Sequence, residues 1–268
     1  MLVDIEQKAP PAATDTRQSP WIGARTQAPQ APLHLIALHH AGGNAAFYQP
    51  WVKQFQNVDW LEFLAIQLPG RGRRMNEAPV HDLPTLLAAA EEGIAPLLDR
   101  PYVLFGFSMG AMLAYELTAR RQQRGETLPQ ALVLAGRGAP RPTAPARSRA
   151  TFSKEKLVRE LQRLGGTDPL LLQDGPFMDI LLRTFQADFA LADAHCCPQP
   201  LALDCPLYAW GGADDPEVPV ERIYRWNAFA GRGFTGRLYP GGHFFLRSAH
   251  AAVMDNLMQI LTTARRSR

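Results

Sequence analysis

Six runs of nearly continuous apolar residues punctuate the chain: LHLIAL (33–38), LEFLAIQL (61–68), YVLFGF (102–107), ALVLAG (131–136), PLYAWGG (206–212) and GRLYP (236–240). Most are apolar at successive rather than alternate positions, which predicts strands buried on both faces. Helix-period patterns lie between them near 45–56, 83–98, 109–123 and 218–230, and another over 248–264 closes the chain. Doubly buried strands separated by helices imply an open α/β architecture, a mostly parallel sheet with helices on both faces. A chain of 268 residues suits a single domain of this kind.

About seventy residues separate the runs at 131–136 and 206–212, far more than a crossover needs. An insertion is therefore expected over about 141–200. Within it, SKEKLVRELQRLGG (153–166) places Leu157, Leu161 and Leu164 on one helical face, with Ser153 as N-cap and glycines at the end. PFMDILLRTFQADFALADAH (176–195) is apolar at Phe177, Leu181, Phe185 and Phe189, and again at Met178, Ile180 and Leu182. That surface is wider than one buried stripe requires. Two readings stay open: a helix packed on two neighbours, or a lid whose inner face lines an acyl channel. Residues 1–30, rich in Pro, Ala, Gln and Thr, read as a flexible tail outside a domain spanning 31–268.

Composition narrows the function classes. With 46% hydrophobic and 20% charged residues the chain is globular in type, and a net charge of +3 gives no ground for nucleic-acid binding. Cys196, Cys197 and Cys205 form neither a disulfide framework nor a metal-ligand spacing. The first twenty residues contain no secretory apolar core, and no run approaches the ~18 apolar residues of a membrane span. A cytoplasmic protein with no membrane partner is the expectation.

The segment YVLFGFSMGAMLAYELTARR (102–121) runs from a strand pattern into a helix pattern with Ser108 at the corner, flanked by Gly106 and Gly110. This is the strand–turn–helix context of the G-x-S-x-G nucleophile elbow, in which the glycines let strand and helix cross closely while the serine is held in a strained conformation. A serine hydroxyl needs a base to take its proton, and the base needs an acid to fix its tautomer. The α/β-hydrolase order is serine, acid, histidine, with the acid and the histidine after late strands. YAWGGADDPEVP places Asp214 and Asp215 after one such strand, and LYPGGHFFL places His243 after the last. His34, His81, His195 and His250 sit in a strand or at helix ends and read as surface or cap residues. Asp215, followed by a turn-forming proline, is the preferred acid; Asp214 is the alternative, with the other aspartate capping the next helix.

Two backbone N–H groups must receive the oxyanion, one from the residue after the nucleophile and one from the loop after an early strand. Met109 fits the first role. In LHHAGGNAAFYQPW (38–51), Ala41 fits the second, with Gly42 as the fallback. Neither nucleotide-binding glycine pattern, G-x-x-x-x-G-K-[ST] or G-x-G-x-x-G, is present.

Taken together, HHAGGNAAFYQPW, QLPGRGRRMNEAP, FGFSMGAMLAYEL, RLGGTDP and YPGGHFFL resemble the type II thioesterases that accompany nonribosomal peptide and polyketide synthases. The resemblance covers 33 to about 262. It implies an α/β-hydrolase fold with an inserted helical lid and a triad of Ser108, Asp215 and His243. It implies hydrolysis of stalled or aberrant acyl thioesters from the phosphopantetheine arms of carrier proteins, which become the expected partners, without metal or organic cofactor. His39 stands where many relatives have proline and Phe107 where many have histidine, which bears on substrate preference. Arg71, Arg73 and Arg74 could meet an acidic carrier surface or the phosphate, or be structural. An acyl-CoA thioesterase or small-molecule carboxylesterase would use the same triad and is the alternative.

Overall fold

The computed structural model describes residues 19–143, 148–166, 175–197 and 199–266. Seven strands form one sheet: β1 (Ile22–Arg25), β2 (Leu33–Leu38), β3 (Leu61–Ile66), β4 (Tyr102–Phe107), β5 (Ala131–Ala135), β6 (Leu207–Gly212) and β7 (Phe234–Tyr239). Their spatial order is β1-β3-β2-β4-β5-β6-β7. Only β1 is antiparallel to its neighbour.

Side chains alternate across a strand, so each central run feeds two cores. Ile36, Leu38, Leu64, Ile66 and Leu104 pack with α2 (Leu83–Ile94), α3 (Met109–Gln123) and α6 (Val220–Tyr224). Leu35, Ala37, Phe63, Phe105 and Val133 pack on the other face with α1 (Gln49–Phe55) and α8 (His250–Arg266). Burying one such Leu or Phe side chain contributes about 1.5–3 kcal/mol, which is why these strands carry almost no polar residues.

Three sequence expectations change. The tail was expected to reach residue 30, yet Ile22 and Ala24 are buried in β1, which pairs with β3 from Ile22↔Ile66 to Arg25↔Leu64. Thr26 Oγ1 accepts the Phe63 N–H at 3.0 Å and Arg25 pairs with Glu62, so the edge is tied down. Residues 1–18 lie outside the described residues. The helix expected at 218–230 ends at Tyr224 and continues as a 3-10 helix, Arg225–Phe229. The closing helix is preceded by a short α7 (Phe245–Ser248), with Ala249 between them.

The insertion contains α4 (Lys154–Leu164) and α5 (Gly175–Ala194). Ser153 accepts the Lys156 N–H at the start of α4, and Gly165 closes it in the left-handed conformation at φ 75°. Leu157 and Leu161 of α4 form a separate apolar cluster with Met178, Phe185 and Phe189 of α5, while Leu191 and Ala192 join the main core. The apolar width of α5 is thus divided between α4 and the body. The side chains of Phe177 and Ile180 and the segment 167–174, which includes part of RLGGTDP, lie outside the described residues.

Candidate active site

Ser108 joins β4 to α3 and is the one non-glycine residue among those described with positive φ, at 56°. The backbone crosses so closely here that a Cβ on Gly106 would lie 2.2 Å from the Gly110 carbonyl, and one on Gly110 would lie 2.2 Å from that of Leu38. Any side chain at either position would force strand and helix apart. A serine held in this sparsely populated region costs of order 1–3 kcal/mol, and such strain collects at functional sites.

His243, 4% exposed in the loop after β7, connects the serine to an acid. Its Nδ1 lies 2.8 Å from Asp215 Oδ2 and its Nε2 lies 3.0 Å from Ser108 Oγ. A carboxylate only accepts, so Nδ1 carries the proton and Nε2 is free to receive the serine's. The Asp215 carboxylate is fully buried, and its Oδ1 accepts the N–H groups of Glu217 at 2.8 Å and Val218 at 3.2 Å. Three donors thereby stabilise the anion. Asp214 is exposed and has no side-chain hydrogen bond among the described residues, and the helix cap foreseen for it is not formed: Pro219 stands before α6 with no side-chain cap, while Asp215 ties the turn ahead of it.

The loop after β2 is a β-turn in which the Gly43 N–H reaches the His40 carbonyl at 3.0 Å, with Gly42 at φ 69°. A Cβ on Gly42 would strike the Phe185 ring of α5 at 2.0 Å. The Gly42 N–H donates to Asp188 Oδ2 at 2.6 Å, so this amide is already engaged. Ala41 and Met109 line the catalytic cavity with Ser108, and the Met109 N–H, first of α3, has no helical carbonyl behind it. That leaves Ala41 rather than Gly42 as the loop's available donor.

Asp188 also receives Arg71 bidentately, Nη1 to Oδ2 at 2.5 Å and Nη2 to Oδ1 at 2.9 Å, with 7% and 1% of the two side chains exposed. Thr184 Oγ1 donates to the Gly70 carbonyl at 3.1 Å. The PGRGRR loop is therefore clamped to α5, and the carrier-facing reading is corrected for Arg71 and Arg74, which are buried, while Arg73 is exposed. Arg74 pairs with Glu77 at 2.6 Å and lies 4.2 Å over the Trp21 ring. Arg73 donates to the Ile22 carbonyl. Sequence reading missed Asp188, whose one signal was an isolated acid inside an apolar helical stretch.

Two histidines adjoin this loop. Burial, and then Arg71, push His39 down to about 4; burial and the neighbouring His39 hold His40 well below the usual histidine value. Both are neutral near pH 7. The His40 ring packs edge-on against Phe47, Phe107 and Phe244, and Phe107 lies 5.5 Å from the His243 ring. The cavity in front of Ser108 encloses about 1050 Å³, part of it open to solvent, with Leu161, Leu164, Phe185 and Phe189 from the insertion on its wall. Among the described residues no cluster could hold a metal ion, and no helix is long and apolar enough to cross a membrane.

The fold is that of the α/β-hydrolases, and a serine, a histidine and a buried aspartate in hydrogen-bonded sequence have the geometry of a serine hydrolase. The chain belongs to the thioesterase domain family, which matches residues 33–261. It is 35% identical over 267 residues to a probable cadicidin biosynthesis thioesterase of Streptomyces griseus, spanning 94% of this chain and 73% of that one. It is 33% identical over 216 residues to the gramicidin S biosynthesis protein GrsT of Aneurinibacillus migulanus, spanning 81% and 84%. Among solved structures, the type II thioesterase BorB from the borrelidin biosynthetic cluster is similar at 33% identity and a TM-score of 0.77, spanning 90% and 97%.

Proposed function

We propose that this thioesterase clears stalled or wrongly primed acyl groups from the phosphopantetheine arms of carrier proteins in nonribosomal peptide or polyketide synthesis. The observation that carries the reading is the Ser108–His243–Asp215 relay opening into one cavity, part of whose wall comes from the insertion. The biosynthetic settings named for the cadicidin, gramicidin S and borrelidin proteins support it.

In this account His243 Nε2 takes the Ser108 hydroxyl proton as Oγ attacks the thioester carbonyl, and Asp215 stabilises the resulting imidazolium. The oxyanion is received by the N–H groups of Met109 and Ala41. Collapse breaks the C–S bond, His243 returns the proton to the departing sulfur, and the arm leaves as a thiol. Water, deprotonated by the same nitrogen, then attacks the acyl-serine, releasing a carboxylic acid and regenerating Ser108. Helices α4 and α5 act as the lid, supplying apolar wall to the acyl group.

The test is mass spectrometry of a carrier protein loaded with one acyl group, and of the same acyl group on coenzyme A, after incubation with enzyme. The expected result is loss of the acyl mass with the arm retained on the carrier, at a higher kcat/KM than for coenzyme A. Equal kcat/KM on both substrates would replace this reading with an acyl-CoA thioesterase.

A further inference from the structure

One wall of the catalytic cavity is cationic. Arg137, Arg141, Arg149 and Arg222 all line it, together with Ser108 and His243. Arg149 is neutralised by Asp193 at 2.6 Å and Glu217 at 2.8 Å, and Glu217 also takes Arg163. The two carboxylates of the wall are thereby occupied. Arg137 and Arg222 meet no carboxylate at ion-pair distance among the described residues. Arg137 donates to the Ala192 carbonyl at 2.7 Å and Arg222 to that of Ala139 at 2.8 Å, which leaves most of the five N–H donors of each guanidinium uncommitted.

A second unmet group stands in the same wall. His195 is 9% exposed and lines the cavity; its Nε2 lies 2.7 Å from Glu116 Oε1, and its buried Nδ1 has no partner among the described residues. Burial, and then Arg222 and Arg149, push Arg137 down to about 10 against the opposing pull of Asp193 and Glu217, so it remains charged at neutral pH with no carboxylate at ion-pair distance among the described residues. A partly buried cation is stabilised when an anion reaches it.

We propose that Arg137 and Arg222 form an anion subsite of the acyl cavity, which takes the free carboxylate of an acyl group derived from a dicarboxylic acid. The proposal rests on thioester hydrolysis at Ser108 as described above, and names a substrate class for it. Position favours the acyl end over the arm. Gly136, directly before Arg137, is close enough to the relay that a Cβ on it would lie 3.7 Å from His243 Cε1. The Arg137 Nη2 also lies 4.0 Å from Met112 Sδ, about one helical turn along α3 from the nucleophile. The phosphate of the arm is separated from the reacting sulfur by the whole pantetheine chain. A planar guanidinium fork matches a carboxylate bidentately.

The experiment compares succinyl and butyryl thioesters, equal in chain length, on N-acetylcysteamine and pantetheine, which lack phosphate, and on phosphopantetheine. The expected wild-type result is a succinyl preference of about tenfold or more in kcat/KM on all three thiols, the gain of a charge-assisted hydrogen-bonded contact. Arg137→Met and Arg222→Met should each lower that ratio at least about fivefold, and Arg222→Lys should restore part of it. Arg222 lies on the surface helix α6, so its variant remains informative if Arg137→Met fails to fold. A succinyl-to-butyryl ratio near one, unchanged in the variants, overturns the proposal. A preference for phosphopantetheine over pantetheine that the variants abolish, with no succinyl preference, also overturns it and assigns the wall to the arm's phosphate. Thermal shifts of Ser108→Ala with succinyl- and butyryl-pantetheine separate the two levels. Selective stabilisation by the succinyl compound without turnover of any thioester by wild-type enzyme keeps the subsite and removes the hydrolase reading. Turnover without selectivity removes the subsite alone.

Discussion

Replacing Asp188 by alanine tests how far the insertion and the oxyanion loop act as one unit. The carboxylate, 1% exposed, holds both Nη atoms of Arg71 and the Gly42 N–H. Its removal leaves a guanidinium that is 7% exposed with, among the described residues, only the Pro69 carbonyl at Nε, at 3.0 Å. Breaking a buried pair in this one-sided way costs about 3–5 kcal/mol, and salt screens it little. Against a total stability of about 5–15 kcal/mol, that is a large fraction. Catalysis falls as well, because the turn carrying Ala41 loses its anchor; a displaced oxyanion donor costs about 10²–10³ in kcat. Urea unfolding and steady-state hydrolysis of one acyl thioester read the two effects. The double replacement Arg71→Leu/Asp188→Leu removes both charges and should cost clearly less than the sum of the single changes. Asp188→Ala within about 1 kcal/mol of wild type and within twofold in kcat, or strict additivity in the double variant, would refute the reasoning.

The two adjacent aspartates separate sharply: Asp215→Asn should lower kcat by about 10⁴ through loss of the correct histidine tautomer, while Asp214→Asn stays within about twofold, and steady-state kinetics ranks them. Stability should decline in mild acid. His39 is buried neutral, its folded value of about 4 lying below the ordinary 6.5, so the unfolded chain binds the proton first as pH falls. Its contribution is present above about pH 6.5 and is lost towards pH 4, about 3 kcal/mol in all, and His39→Gln should reduce the slope of denaturation midpoints over that window, with His40 supplying a remaining slope of the same sign. Hydrogen exchange should be faster in α4, which buries only Leu157 and Leu161, than in β4 or β5, and should slow when Ser108 carries an acyl group. Uniformly slow exchange in the free enzyme would make the insertion a rigid cap.

The parallel sheet and the relay were legible because their signals are local. Gly106, Ser108 and Gly110 sit within five residues, and the Asp215 and His243 loops follow recognisable strands. The aspartate pair stayed ambiguous until the 2.8 Å contact to His243 singled out Asp215. Edge strand β1 was missed because IGAR is short and weakly patterned, and becomes a strand only against β3. The role of Arg71 was also hidden: its partner Asp188 is 117 positions away, and an arginine-rich loop reads as solvated until its burial is known. The cationic cavity wall draws on 137 and 222, which no sequence spacing connects.

The most direct test of the central claim is to quench the enzyme at short times with an acyl-loaded carrier protein and map the acyl group by peptide mass spectrometry. The account predicts a transient acyl adduct on Ser108, absent in Ser108→Ala, together with a fall of at least about 10³ in carrier deacylation by that variant. Deacylation by Ser108→Ala at the wild-type rate, or an adduct on any other residue, would contradict it.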